Sequence, residues 1–190
     1  GGVYLAYGTM NLSDSVEVRY NKAHRNGGGI NARDGAVINM QGGTIDGNVS
    51  GQFGGGVYLK NSSVFNFKNG SINGNKANAG GGIYNESNSV VYLSESVSLG
   101  DEDPNSAATA PGIYNSAELN IMGTRNIENG VYIGSDVSSV PILNSTILPD
   151  SKIQLNNSPY LTPNDEGNSI AAAVASEDSY PVLSQQDADA

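Results

Sequence analysis

Residues able to do chemistry are few in this chain, and their spacing decides what chemistry is open to them. Asp101, Glu102 and Asp103 stand side by side, a density of carboxylate that could gather around a calcium ion. Recognisable calcium loops alternate their oxygen ligands with other residues around a glycine, so three acids in a row read instead as a solvated loop. His24 is the single histidine. It has no Ser or Cys partner set of the kind that covalent catalysis needs, and it reads as a surface residue. Triple glycines at 27–29, 54–56 and 80–82 invite comparison with phosphate-binding loops. Those loops need a helix opening straight after the glycines, whereas here a β-branched residue and a strand-like run follow. The feature left to weigh is aromatic: Tyr4, Tyr58, Tyr84, Tyr114 and Tyr132 each follow a Gly-Val or Gly-Ile pair, with Asn31 breaking the row. Tyrosines in file on a surface suit stacking on sugar rings or gripping a protein partner; the same rings stacked across strands would merely stiffen a sheet.

The element that must position this stripe is a repeat. A glycine followed by Val or Ile recurs at Gly2, Gly29, Gly56, Gly82, Gly112 and Gly130, in steps of 27, 27, 26, 30 and 18 residues. Asn21, Asn48 and Asn75 keep the same beat, 27 apart, and Asp101 takes the place 26 further on. A period of this size marks an architecture whose unit cannot bury its apolar face alone and must stack on its neighbours. Within the unit at 54–77, the runs Gly56-Val-Tyr-Leu59, Val64-Phe-Asn-Phe67 and Ser71-Ile-Asn73 alternate apolar residues with others, and glycine, asparagine or serine lies between them. Such runs predict three strands per unit, and about 27 residues is the length of one coil of a parallel β-helix. The expected fold is therefore all-β, a solenoid with core columns Val3, Ile30, Val57 and Ile83; Met40, Phe67 and Leu93; and Val18, Ile45 and Ile72. Column neighbours would stack about 4.8 Å apart, each buried Val, Ile or Phe contributing roughly 1.5 to 3 kcal/mol.

The glycines Gly29, Gly56 and Gly82 fall where the chain turns into the first strand, at a corner where positive φ or close backbone approach excludes a Cβ. Asn21, Asn48 and Asn75 fall in the corner after the third run, where side-chain amides can bond to their equivalents above and below as an internal ladder. The fourth unit swells after Leu99 into Gly100–Asn105, and the fifth is shortened so that the asparagine corner is lost. After Ile133 the repeat fades, and residues 134–190 are expected to form a β-rich C-terminal cap, since a solenoid's last coil otherwise leaves core and strand edges open to water. Residues 164–179, with Ala171-Ala-Ala-Val174, fit a short helix or a strand equally well.

Charge divides the chain at the same point. Residues 1–100 hold seven Lys/Arg against six Asp/Glu, and residues 101–190 two against thirteen, within a net charge of −10. All seven prolines lie at Pro104 or beyond, whereas 20 of the 25 glycines lie at or before Gly100. Two regions follow, repeats over 1–133 and an acidic segment over 134–190. So acidic a chain is a poor partner for nucleic acid. Cysteine is absent, which removes disulfides and thiolate metal sites. No stretch approaches the roughly 20 apolar residues of a membrane-spanning helix. The chain opens inside a repeat, so further repeats of a longer parent are expected before Gly1.

Period arithmetic also names surface neighbours: Arg19 beside Asp46 beside Asn73, and Arg33 beside Lys60 beside Glu86. Signs are mixed, and no two carboxylates meet on adjacent coils as a β-helix glycosidase or calcium-dependent lyase would require. The combination Gly-Gly-Gly-Ile/Val-Tyr with Ile-x-x-Asn, at Ile45–Asn48 and Ile72–Asn75, resembles the paired GGA(I/L/V) and FxxN repeats of the chlamydial polymorphic outer membrane proteins. It is closer still to the adhesin-like β-helix repeats of gut-bacterial surface proteins, over residues 1–133. The resemblance implies a right-handed parallel β-helix, export to the bacterial cell surface, a role in attachment or as a stalk, and no catalytic residues or cofactor. The expected function is thus non-enzymatic and adhesin-like, with a glycan or host surface protein as partner and Tyr58, Tyr84, Tyr114 and Tyr132 as its contact residues. The competing readings are a pectate-lyase-like carbohydrate-active enzyme and a pure structural spacer.

Overall fold

The structure, a computed structural model, describes residues 1–86, 88–121, 125–133, 152–155, 170–173 and 182–185; side chains are described for residues 1–120 other than 87 and 95, and for Val131. Every described element is a strand. The first coil holds β1 (Val3–Leu5), β2 (Thr9–Leu12), β3 (Glu17–Arg19) and β4 (Lys22–Ala23). The second holds β5 (Ile30–Arg33), β6 (Val37–Asp46) and β7 (Val49–Ser50), and the third β8 (Val57–Lys60), β9 (Val64–Asn73) and β10 (Lys76–Ala79). The fourth is β11 (Ile83–Asn85), β12 (Val90–Leu99) and β13 (Ser106–Thr109), and the shortened fifth is β14 (Ile113–Asn115), β15 (Glu118–Ile121) and β16 (Arg125–Ile133). Each strand pairs in parallel with its equivalent one coil away, for instance Val3↔Ile30↔Val57↔Ile83↔Ile113↔Val131. The chain is a parallel β-solenoid.

The core columns stand as the alternation dictates. Met40 lies over Phe67 and Phe67 over Leu93, and Val18, Ile45, Ile72 and Leu99 form the third column. All of them are buried, those from Ile30 to Leu99 almost completely. At the first coil Val3, Leu5, Met10 and Val16 are only partly buried against this core.

The second, third and fourth coils hold three strands each, as expected, and the first holds four, but the allocation of the three differs from the expectation. The second and third runs fuse into one ten-residue strand in β6, β9 and β12, interrupted by a register slip between Met40 and Thr44 and between Leu93 and Ser96. The remaining strand is β4, β7, β10 and β13, a four-stranded sheet of its own where the sequence suggested only a corner. Its inward residues are small, Ala23, Ser50, Ala77 and Ala79, so it lacks the β-branched and aromatic residues that announce a strand.

The fifth coil shows how the 18-residue step is made. Arg125–Ile127 of β16 pairs with Val97–Leu99 of β12, and Val131–Ile133 pairs with Ile113–Asn115 of β14. One strand thus runs from the second face straight onto the first, and no residue stands for the small-residue face. Beyond it β17 (Lys152–Leu155) pairs in parallel with β16, and β18 (Ile170–Ala173) pairs antiparallel with β19 (Val182–Gln185). Of the helix and the strand that suited residues 164–179, the strand is found over Ile170–Ala173. The rest of the expected cap at 134–190 lies outside the described residues.

Candidate functional site

The first face carries the tyrosines, and the glycine corner sets where they point. Gly27, Gly54 and Gly80 take φ of +65°, +63° and +63°, the left-handed region that glycine enters without strain. The third glycine of each corner is needed for space rather than for its φ: a Cβ on Gly29 or Gly56 would stand 2.7 Å from the carbonyl oxygen of Gly56 or Gly82 in the next coil, and one on Gly82 2.9 Å from that of Gly112. Of the two reasons the sequence offered for these glycines, close approach is the one that applies. The residue after the corner then points inward, and the tyrosine after that points away from the core.

Pointing away from the core does not leave these rings free. Tyr84 is in register with Tyr58 on one side and Tyr114 on the other. The Tyr84 and Tyr114 rings stack with centroids 4.6 Å apart and planes 1° from parallel, Tyr58 and Tyr84 lie 5.7 Å apart, and Phe53 stacks on Tyr84 at 4.6 Å. The Tyr84–Tyr114 spacing therefore equals strand spacing, and the ring normals run along the stack. Tyr84 thus has rings from both neighbouring coils against it, and Tyr114 is covered by Tyr84 on one face. Tyr84 and Tyr114 keep intermediate exposure, whereas the exposure expected of Tyr58 is not found, its side chain being only 4% exposed. Its hydroxyl donates to Glu86 Oε2, and Glu86 Oε1 is also paired with Lys60 Nζ at 2.9 Å. Burial, then the Glu86 carboxylate, hold the Tyr58 phenol well above the usual tyrosine range. Tyr4 is 62% exposed, and the Tyr132 ring lies outside the described side chains.

The asparagine ladder is internal, as its spacing indicated, and runs one rung further. The backbone amide and Nδ2 of Asn21 both donate to Asn48 Oδ1 at 3.0 Å, those of Asn48 to Asn75 Oδ1 at 3.0 Å, and those of Asn75 to Asn105 Oδ1 at 3.0 Å. Asn48, Asn75 and Asn105 are buried. The fourth rung is thus Asn105 and not Asp101, because the insertion after Leu99 precedes the corner and pushes the ladder position on by four residues. A signal for this was present: counting back from the next Gly-Ile or Gly-Val, the asparagine stands eight residues before Gly29 and Gly56 and seven before Gly82 and Gly112. Sequence reasoning also missed two further rows. Asn85 Nδ2 donates to Asn115 Oδ1 at 2.7 Å inside the core, a pair announced by the repeated Ile-Tyr-Asn. On the surface Asn66 donates to Asn39 and Asn39 to Asn11, at 2.8 and 2.9 Å.

Charged neighbours fall where period arithmetic puts them. Arg19 Nη2 lies 3.2 Å from Asp46 Oδ2 and Nη1 3.3 Å from Glu17, with the guanidinium 4.9 Å over the Tyr20 ring. His24 is exposed, as are Asp101, Glu102 and Asp103. Among the described residues no three His, Cys, Asp or Glu side chains gather as a metal site would need, and no helix is long and apolar enough to cross a membrane. Compared with protein-family models, with curated proteins and with solved structures, the chain finds no match in any of the three.

Proposed function

We propose that this chain is part of an exported bacterial surface protein that acts without catalysis, as an adhesin-like or stalk-forming rod. The observation that carries the reading is where the recurring side chains go. Asparagines at three positions of the coil, and tyrosines at a fourth, bond or stack onto their own equivalents one coil away. Repetition serves cohesion along the axis, which is what a rod requires. Catalysis instead needs unlike ionisable groups converging on one point, and titratable groups of this surface pair with a neighbour of opposite sign, as Arg19 does with Asp46 and Lys60 with Glu86. Contact with a glycan or a host surface protein would then be made by the hydroxyl edge of the tyrosine stripe and by the asparagine row at 11, 39 and 66.

The test is a pair of assays on the folded protein. Pectin, alginate and glycosaminoglycans, with and without calcium, should show no cleavage, while surface-bound protein should retain mucin or epithelial cells above an uncoated control. Sustained cleavage that disappears on replacing Asp46 or Asp101 would replace this reading with a carbohydrate-active enzyme.

A further inference from the structure

Asn-Gly steps occur at 26–27, 69–70, 73–74 and 129–130, and the first three have described side chains. In such a step the glycine nitrogen can attack the preceding side-chain amide, so its behaviour turns on what that nitrogen already donates to. Gly27 N donates to the Phe53 carbonyl at 2.9 Å and Gly74 N to the Asp103 carbonyl at 2.7 Å, both in the next coil. Asn73 is in addition buried, its Oδ1 accepting from Gly100 N at 2.8 Å.

Asn69–Gly70 is built differently. Gly70 N donates to Oδ1 of Asn69 itself at 2.8 Å, and Asn69 is exposed. That bond folds the side-chain amide back over its own backbone and sets the Gly70 nitrogen beside the Asn69 Cγ. The fold imposes this shape. Gly70 has φ +110°, and a Cβ there would lie 2.5 Å from the Gly43 carbonyl oxygen and 2.8 Å from Met40 Cε. The register between β6 and β9 also slips here, from Met40↔Phe67 through Gln41↔Asn69 to Thr44↔Ser71.

We propose that Asn69–Gly70 is a self-modifying site, at which the amide of Asn69 is lost through a cyclic imide with water as the only co-reactant. Gly70 N gives up its proton to solvent, and its lone pair forms a bond to Asn69 Cγ. The tetrahedral centre collapses with cleavage of the Cγ–Nδ2 bond, and Nδ2 takes a proton back from solvent and leaves as ammonia. Water then adds to either imide carbonyl and breaks one C–N bond, giving an aspartyl or an isoaspartyl residue; nothing is oxidised or reduced. Either product places a new carboxylate beside Lys68. The isoaspartyl form also lengthens the main chain at a point where the ladder already tolerates an irregularity. The protein would thereby acquire negative charge with age at one defined place on its second face.

The experiment follows the intact protein in heavy-oxygen water at mildly alkaline pH, digests it, and reads label by fragment spectra that separate Asn69 from Asn73. In the folded protein Asn69 should take up label faster than Asn26 and Asn73, on the order of tenfold or more, as expected when one of several equivalent groups is held near its attack geometry. In denaturant that lead should disappear, and Asn69→Gln should remove the early signal without altering the melting curve. Equal rates in the folded protein would overturn the proposal. A lead that persists in denaturant would do so too, since local sequence and not the fold would then set it.

Discussion

Asn75 joins three coils through one side chain. Its Oδ1 accepts from the amide and Nδ2 of Asn48, while the two protons of its Nδ2 are shared among the Ile45 and Asn73 carbonyls and Asn105 Oδ1. Removing it orphans buried donors and acceptors on both neighbours, each costing about 1 to 3 kcal/mol. Asn75→Ala should therefore lower unfolding free energy in a denaturant titration by about 3 kcal/mol or more, whereas Asn21→Ala, at a half-buried end rung, should lose about 1 kcal/mol. Tyr58 makes a second residue-scale prediction. Its phenol ionises later in the folded chain than in the unfolded one, so the stabilisation is fully present below the unfolded value of about 10 and is lost as pH rises above it. Wild type should accordingly lose melting temperature more steeply than Tyr58→Phe above that pH; parallel curves would remove Tyr58 from the account. Among these residues Asn48 and Asn75 were legible because spacing alone exposes them. Asn105 was not, because an insertion of exposed acids shifts the count, and a period read forward cannot tell whether extra residues fall before or after a corner.

Strands and corners divide the labour within a coil. The first face and the long strands β6, β9 and β12 are written in Val, Ile, Phe and Leu, and alternation located their columns without error. The face formed by β4, β7, β10 and β13 is equally regular in the backbone yet silent in the sequence, because alanine and serine carry no strand signal. What places it is the ladder beside it and the backbone pairing of Val49 with Lys76 and of Lys76 with Ser106. The corner into the first face leaves no room for a side chain. At Gly56 a Cβ would meet the Gly82 carbonyl oxygen at 2.7 Å, Ile72 Cγ2 at 3.1 Å and Asn75 Cγ at 3.2 Å. Gly56→Val must therefore push adjacent coils apart at a point where core column and asparagine ladder meet. A loss of several kcal/mol, about 3 or more, is expected in thermal and denaturant melts. Since even 1 kcal/mol moves the melting temperature of a domain this size by about 2 to 4 °C, a variant melting together with wild type would show that the corner can open freely.

Over residues 1–121 the molecule is a stack of coils held by pairing of equivalent strands. The sequence disclosed that stack through period and alternation, and it disclosed the tyrosine row, but not the way the rings lie. Outward position was readable from the residue after an inward Val or Ile. Ring orientation was not, because it depends on neighbours one coil away choosing the same rotamer and on Phe53 closing over Tyr84. This row, like the asparagine ladder, is expected to hold the coils together. The most direct measurement is the melting curve of Tyr84→Ser combined with Tyr114→Ser, read beside adhesion of the same protein to a mucin surface. A stacked aromatic pair is worth about 0.5 to 1.5 kcal/mol beyond the area it buries, so with that area included the double variant should lose about 2 to 4 kcal/mol and several degrees of melting temperature. Unchanged melting together with lost adhesion would contradict the claim, and would make the stripe a binding surface that the fold does not need.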